Sequence, residues 1–532
     1  MAALDLVLGI DSSTQGTSAV ILDRATFTKV AEARVRYRDN PRLARYGLGG
    51  ETPILPPREP GEAQQPAALF LDALDALLAD LPADLLRRVA AVDLSAQQHG
   101  QVWLGEAAVA GISALGRPGA GARGMPSLAE RIGPGLSWDR APIWMSANTI
   151  AEAAELREAS GGSDDMTARS GSDSPLRFSG AVLMHSARRF PEIWARTRRF
   201  HLISSFLSGV LSANPNCPID WGNGSGTSLM NWRGRRWDSG LISTAARSMG
   251  VTMEALTAAI PPLAHPLTEA GSLASYFVER FGLSPDCRVL IGSGDNPQSK
   301  VLASGTLLSL GTSFVLMAEA DFPHVSANAM YDGLGNPFIF GCRTNGALAW
   351  ERVRRDHGLA HDDFAASEKA LGGQAPGFNV RILQTDRESF PDSPIVEEGG
   401  RPDFAEDYAG VVDSSLGLTY LAARRFAHVG ASMAVTGGGA ASPGVLLRIA
   451  SIWKTAVLPI ANAGAAGGAA LAAALALTPS EGWKAVLEPA RKAASGAGSP
   501  VAPDPRFVEA YHGKDGYLSR LEARVLELGF RF

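Results

Sequence analysis

Two aspartates stand where a carboxylate could do chemistry, each at the end of an apolar run. Asp11 lies in GIDSSTQGTS and Asp295 in RVLIGSGDNPQSK. A carboxylate at the end of a buried strand can reach a hydrated Mg²⁺. The hydroxyls of Ser12, Ser13, Thr14 and Thr17, with the backbone N–H groups of their turn, suit phosphate oxygens. The same stretch also reads as an Asx turn in which Asp11 bonds only the backbone. Asp295, relieved of crowding by Gly294, suits a base that touches a substrate hydroxyl, although Gly-Asp-Asn-Pro is ordinary turn chemistry too.

Two further stretches could serve those acids. SAQQHGQVW places His99 and two glutamines in a loop between strands, where they could bind a polyhydroxylated ligand with Trp103 as a wall. A single histidine is more often a satisfied structural residue. SMAVTGGGAASPGVLLRIASIW reads as strand, glycine turn and helix, so backbone can pass close to a ligand beside a helix N-terminus. Neither a Walker loop nor the protein-kinase motifs occur.

The elements that position these residues follow from periodicity. Strands are expected at Leu4–Ile10 and Ser18–Leu22, a helix at Pro66–Leu81, and β structure along Arg88–Leu104. Residues Gly105–Ala141, rich in Gly, Pro and Ala, read as an insertion or long loop. GTLLSLGTSFVLMAEA repeats the strand–turn–strand pattern of the opening segment, which suggests two related lobes; Gly/Ser/Thr turns are also common in any α/β protein. The small-residue helix from Gly464 can approach a neighbouring backbone closely, and YLSRLEARVLELGF is an amphipathic structural helix.

Bulk properties narrow the classes. A chain of 532 residues exceeds what one core supports, so at least two domains are expected. A net charge of −5 gives no basic field for nucleic acid or a membrane surface. Three scattered cysteines, Cys217, Cys287 and Cys342, suggest neither a disulfide framework nor a zinc site and fit a reducing compartment. The N-terminus lacks a signal-peptide pattern, and the apolar run Ala463–Leu477 is too short to span a bilayer. A cytoplasmic protein is expected.

Taken in order, GIDSSTQGTS, SAQQHG, PIWMSANT, LRFSG, PIDWGNGSG, GDNP, SLGTS and TGGGAAS resemble the FGGY carbohydrate kinases over nearly the whole chain. QQHG and GDNP together resemble the xylulokinase branch more than the glycerol kinases. The resemblance implies an α/β fold of two ribonuclease-H-like, actin-like ATPase lobes with an active-site cleft between them. The lobes would span 1–290 (sugar and first phosphate turn) and 291–532 (second phosphate turn and nucleoside). It implies transfer of the ATP γ-phosphate, with Mg²⁺, to the primary hydroxyl of a ketopentose, D-xylulose foremost. Another ketose or polyol such as ribulose, or a nucleotide-gated binding protein on the same scaffold, is the alternative.

By the same resemblance Asp295 is the catalytic base, and His99, Arg177, Asp295 and Asn296 contact the sugar. Asp11 organises Mg²⁺. Thr14, Gly311, Thr312 and Ser313 flank the phosphates; Gly438, Gly439 and Ser442 line the nucleoside; His361 falls near adenine. The partners implied are a small ketose and ATP, with no nucleic acid or membrane, as a monomer or a homodimer. One departure stands out: where the family has an aspartate two residues after Trp144, this chain has Ser146.

Overall fold

The computed structural model describes residues 3–50, 53–119, 124–311, 314–343, 346–372, 380–382, 396–398, 403–460, 464–495 and 499–529. It divides into two compact units interleaved along the chain. The first holds residues 1–302, 330–337 and 463–493, and the second holds 303–329, 338–462 and 494–532.

The first unit is built on β1 (Leu6–Ser12), β2 (Gly16–Asp23), β3 (Lys29–Arg36), α1 (Leu69–Asp80) and β4 (Val89–Ala96). Later in the chain come α2 (Ser179–Arg189), α3 (Ile203–Leu211), β5 (Glu269–Ser272), β6 (Arg288–Leu290), β7 (Ser293–Gly294) and α4 (Asp295–Val301). The sheet order is β5-β6-β4-β1-β2-β3, with β7 also paired to β4. β1 runs antiparallel to β2 and parallel to β4, and β6 and β7 run parallel to β4. Every residue of β4 is buried. That fits a central parallel strand covered on both faces, which reads as a continuous apolar run rather than an alternating one.

The second unit repeats this pattern with β8 (Thr306–Leu310), β9 (Phe314–Glu319), β10 (Pro337–Arg343), α5 (Phe404–Ala423), β11 (Ser432–Gly437), α6 (Pro443–Trp453) and β12 (Ala456–Pro459). The order β10-β9-β8-β11-β12 matches β3-β2-β1-β4-β6 strand for strand. An antiparallel meander is followed by two parallel strands in each case. The duplication suggested by two similar turns is thus present in sheet topology.

Near the end of the chain the first unit regains α7 (Gly464–Ala476). It lies against β1 so closely that a β-carbon on Gly9 would stand 1.9 Å from the Ala466 carbonyl oxygen. On its other side a β-carbon on Gly468 would stand 1.8 Å from the carbonyl oxygen of Gln298 in α4. Glycine and alanine are required there because backbone meets backbone. The C-terminal helix, Tyr517–Glu527, buries Tyr517, Leu518, Leu521 and Val525 in the second core, as its amphipathic pattern predicts.

One expectation fails. The described residues of 105–141 are not a long loop: they include helices at Glu106–Ala114 and Leu128–Ile132 and the start of a strand at Arg140–Pro142. Ala108, Ile112, Leu128 and Ile132 enter the first core. A capping box of Ser127 and Glu130 starts the second helix, a signal that the surrounding Gly, Pro and Ala residues obscured.

Candidate active site

Strand β4 and its extension organise the first unit's polar residues. Register sets Asp11 of β1 opposite Ser95, whose hydroxyl donates to Asp11 Oδ1 at 2.7 Å. Register likewise sets Ser293 of β7 opposite Ser95, which delivers Asp295 to the first position of α4. The Asp295 carboxylate accepts the backbone N–H groups of Gln98 and Asn296, the latter at 2.9 Å. Asn296 Nδ2 in turn donates to Gln98 Oε1 at 2.9 Å, which joins the GDNP turn to the QQHG loop.

The sugar-side residues assemble around that loop. His99 adopts φ +68° and stacks on Phe178 at 4.5 Å between centroids. Its Nδ1 lies 2.9 Å from the Gly226 carbonyl oxygen. Burial first, and then the charge of Arg177, hold its pKa well below the usual imidazole value. The ring is therefore neutral: Nδ1–H donates to Gly226, and Nε2 keeps a lone pair that can accept a ligand hydroxyl. Arg177 lies at the start of α2, its guanidinium carbon 5.9 Å from the Phe178 ring centre. His99, Arg177, Asp295 and Asn296 thus come together in one unit.

The phosphate turn is more committed than its hydroxyl count suggests. Ser12 and Thr17 point inward to the Tyr37 hydroxyl at 3.1 and 2.9 Å, and Ser13 donates to the Gly16 carbonyl oxygen at 3.1 Å. Thr14 Oγ1 accepts from Trp144 Nε1 at 2.8 Å and donates to Gln97 Oε1 at 3.2 Å. These hydroxyls brace the turn, and the turn's backbone N–H groups are left as its means of meeting a phosphate. Ser146 is buried and donates to the Ala63 carbonyl oxygen at 3.0 Å, so its hydroxyl secures the segment 63–146. Trp103 is no ligand wall: fully buried, it packs with Trp138 and Trp194.

Several carboxylates of this unit titrate high, four of them by a wide margin. Desolvation lifts Asp11 to about 6, against the opposing Ser95 hydrogen bond and the charge of Arg34. Asp295 is pushed to about 7 by desolvation and then by the like charge of Asp11, which marks the two as electrostatic neighbours. Asp93 in β4 rises to about 7 and Asp220 to about 6, both through burial. Asp93 accepts from Gln298 Nε2 at 2.7 Å. Asp220 accepts from Ser293 Oγ at 2.6 Å and caps the helix Trp221–Ser225. Neither was singled out from the sequence as a site residue. The available signal was an aspartate inside the otherwise apolar strand VAAVDLSA.

In the second unit, register pairs Leu310 with Gly437, so the Gly311 turn and the triple-glycine turn stand at the ends of adjacent strands. Gly437 has φ +91°, and a β-carbon on it would lie 2.3 Å from the Leu310 carbonyl oxygen. Around a β-carbon on Gly438 there is open space within 4 Å, whereas one on Gly439 would meet Leu310 and Trp350. Thr312 and Ser313 lie outside the described residues. Ser442 caps α6 and donates to Glu368, whose other oxygen accepts from Gly444 N–H at 2.7 Å. A carboxylate already occupies the N-terminus of α6, the position expected to attract an anion. The His361 ring is exposed, and its carbonyl oxygen accepts from Arg354.

Among the described residues no cluster of three or more His, Cys, Asp or Glu could hold a metal. Asp11 still suits Mg²⁺. One of its oxygens is engaged by Ser95, and this ion commonly takes one or two carboxylates plus water and substrate phosphates. No helix among the described residues is long and apolar enough to cross a membrane.

No family model matches the chain. It is 30% identical over 321 residues to a probable D-xylulose kinase A of Aspergillus fumigatus, covering 58% of this chain and 54% of that protein. It is 27% identical over 389 residues to the xylulose kinase of Mus musculus, covering 70% and 66%. The chain thus spans little more than half the length of the fungal relative. Among solved structures, a xylulose kinase from Brucella ovis superposes with a TM-score of 0.76 at 20% identity, covering 98% of this chain and 99% of the other. A glycerol kinase from Plasmodium falciparum with ADP gives 0.72 at 14% identity, covering 99% and 98%. These matches bear out the resemblance to the FGGY carbohydrate kinases and their xylulokinase branch. The fold is the actin-like ATPase fold of those enzymes.

Proposed function

We propose that this chain is an ATP-dependent ketose kinase that converts D-xylulose to D-xylulose 5-phosphate. The relatives named above support the reaction. The observation that carries it is the placing of Asp295: its carboxylate is fixed by two backbone N–H groups beside His99, Arg177 and Asn296.

A sugar hydroxyl is a very weak acid, so its proton leaves late in a loose phosphoryl-transfer transition state. Asp295 orients the attacking oxygen and then accepts that proton; being recessed, it is basic enough to do so near neutral pH. His99 Nε2 accepts a sugar hydroxyl, while Arg177 and Asn296 donate to sugar oxygens. The N–H groups of the Thr14 turn meet the phosphate chain, and Asp11 would hold Mg²⁺ arriving with ATP. The bound ion would neutralise phosphate charge. In the second unit, Gly311, Thr312 and Ser313 flank the phosphates. Gly438, Gly439 and Ser442 line the nucleoside, with Ser442 acting through its backbone because Glu368 holds its hydroxyl, and His361 stands at the adenine edge. The working compartment is the cytoplasm, consistent with the free thiols of Cys217 and Cys287.

The test is product formation from ATP across D-xylulose, ribulose, glycerol and related polyols, with the Asp295→Asn variant alongside. D-xylulose is expected to give the highest kcat/KM and the variant to lose turnover. ATP binding without sugar binding, seen by calorimetry, would instead indicate a nucleotide-gated binding protein.

A further inference from the structure

We infer that Asp93 and Gln298 form a positioning pair that sets the first turn of α4, and with it the reach of the Asp295 carboxylate. The inference rests on the reading of Asp295 as the base.

β4 serves as a common reference for both acids. Asp93 and Ser95 are two residues apart, so they point to the same face of the strand, roughly 6.6 Å from each other along it. Ser95 holds Asp11. Asp93 holds Gln298, which lies one turn beyond Asp295 in α4. Further along the same strand path, Gln98 holds Asp295 through its backbone N–H and Asn296 through its side chain. One strand therefore indexes the metal-side carboxylate, the base and the first turn of the helix that carries the base.

The α4 side of the contact is just as constrained. The Gln298 carbonyl oxygen abuts α7 at Gly468, where a β-carbon would not fit. Its side-chain Nε2 reaches the buried Asp93 at 2.7 Å and the Leu94 carbonyl oxygen at 3.4 Å, while its buried Oε1 makes no hydrogen bond. The Asp93 carboxylate also accepts the Leu94 N–H at 2.9 Å. A buried carboxylate is a costly way to anchor a helix that apolar packing could hold. What the hydrogen bond adds is a fixed distance between β4 and α4. A misplacement of about 1 Å at a reacting group can cost 10²-fold in rate.

The experiment is an exchange of polarity across the pair, read as kcat and KM with D-xylulose and ATP at pH 8. Gln298→Glu sets two carboxylates against each other and is expected to lower kcat at least about tenfold, with KM for ATP within about twofold. Asp93→Asn costs less than Gln298→Glu, because the Gln298 amide can turn its unpartnered Oε1 toward the new donor. The double variant Asp93→Asn/Gln298→Glu restores a donor–acceptor pair with reversed polarity and is expected to recover most of the lost kcat. Should Gln298→Glu fail to fold, Gln298→Asn, too short to reach Asp93, is expected to lower kcat while calorimetric ATP binding persists. Wild-type kcat in the single Gln298 variant, or losses that simply multiply in the double variant, overturns the pairing. Wild-type turnover in Asp295→Asn overturns the base itself, and so separates the two failures.

Discussion

The two units share a sheet topology, but four recessed carboxylates of the first are held differently from two of the second. In the first, the hydrogen bonds that hold Asp11, Asp93, Asp220 and Asp295 come from hydroxyls, amides and backbone N–H groups. In the second, Asp413 of α5 meets Arg448 of α6 at 3.1 Å with both side chains fully buried, and Asp407 meets Arg381 at 2.7 Å. A guanidinium offsets the charge of a buried acid, although burial still raises Asp413. An acid held by neutral donors, such as Asp295, is raised by burial too and keeps a usable lone pair. The turns differ in the same way. β1 carries an aspartate, Asp11, as its penultimate residue, whereas β8 and β11 end in Leu310 and Gly437, where bare backbone is presented. On the proposed function, one copy of the duplicated unit would carry the charge chemistry and the other would offer a surface for the nucleotide.

If this division is right, removing a carboxylate from the first unit costs rate, and breaking an ion pair in the second costs stability. The largest effect is expected for Asp295→Asn: kcat falls on the order of 10³-fold, equivalent to about 4 kcal/mol, while the melting temperature holds or rises. Steady-state kinetics beside thermal melts check it. Arg448→Met is the counterpart. It leaves the Asp413 carboxylate buried with the Tyr511 hydroxyl as a remaining donor, and is expected to lose about 3 kcal/mol. Urea unfolding measures that loss, and turnover per folded molecule should be unchanged. A rate loss from Arg448→Met, or a stability collapse from Asp295→Asn, would break the comparison.

A smaller effect separates the two turns themselves. At Gly437, φ is +91° and a β-carbon would approach the Leu310 carbonyl oxygen, so Gly437→Ala is strained in both conformation and space. It is expected to cost about 1–3 kcal/mol and to raise KM for ATP more than KM for the sugar. Equal rises in the two KM values would show that the glycine turn does not serve the nucleotide specifically.

What was legible in the chain was what local rules control. The acid turn, the GDNP aspartate, the triple-glycine turn and the backbone-hugging helix from Gly464 each announce themselves within a few residues. The braces were not legible, because their partners are remote in sequence. Asp93 finds Gln298, Ser442 finds Glu368, and Thr14 finds Trp144, pairings that only the tertiary fold creates. Arg448 hides the same problem: it is fully buried because Asp413 awaits it. The helices within 105–141 were missed because composition outweighed the few apolar positions that pack, Ile112, Leu128 and Ile132 among them.

The smallest effect concerns proton linkage at Asp93, and it sharpens the claim that Asp93 is held by neutral donors. Folded, Asp93 titrates at about 7; unfolded, it reverts to the ordinary carboxylate value of about 3.9. The folded state therefore holds a proton that the unfolded state releases between those limits. Stability from this group is fully present below about pH 4 and is lost as pH rises through about 7. Asp93→Asn cannot titrate, so its melting temperature should fall less between pH 5 and pH 8 than that of the wild type. Asp220, Asp11 and Asp295 shift in the same direction, so the slope shrinks without vanishing. At pH 5, where Asp93 is protonated, the change itself is expected to be about 1 kcal/mol or less, because the Gln298 amide can reorient and keep one hydrogen bond. An unaltered slope would mean that Asp93 stays ionised throughout, stabilised by a charge the hydrogen bonds do not reveal.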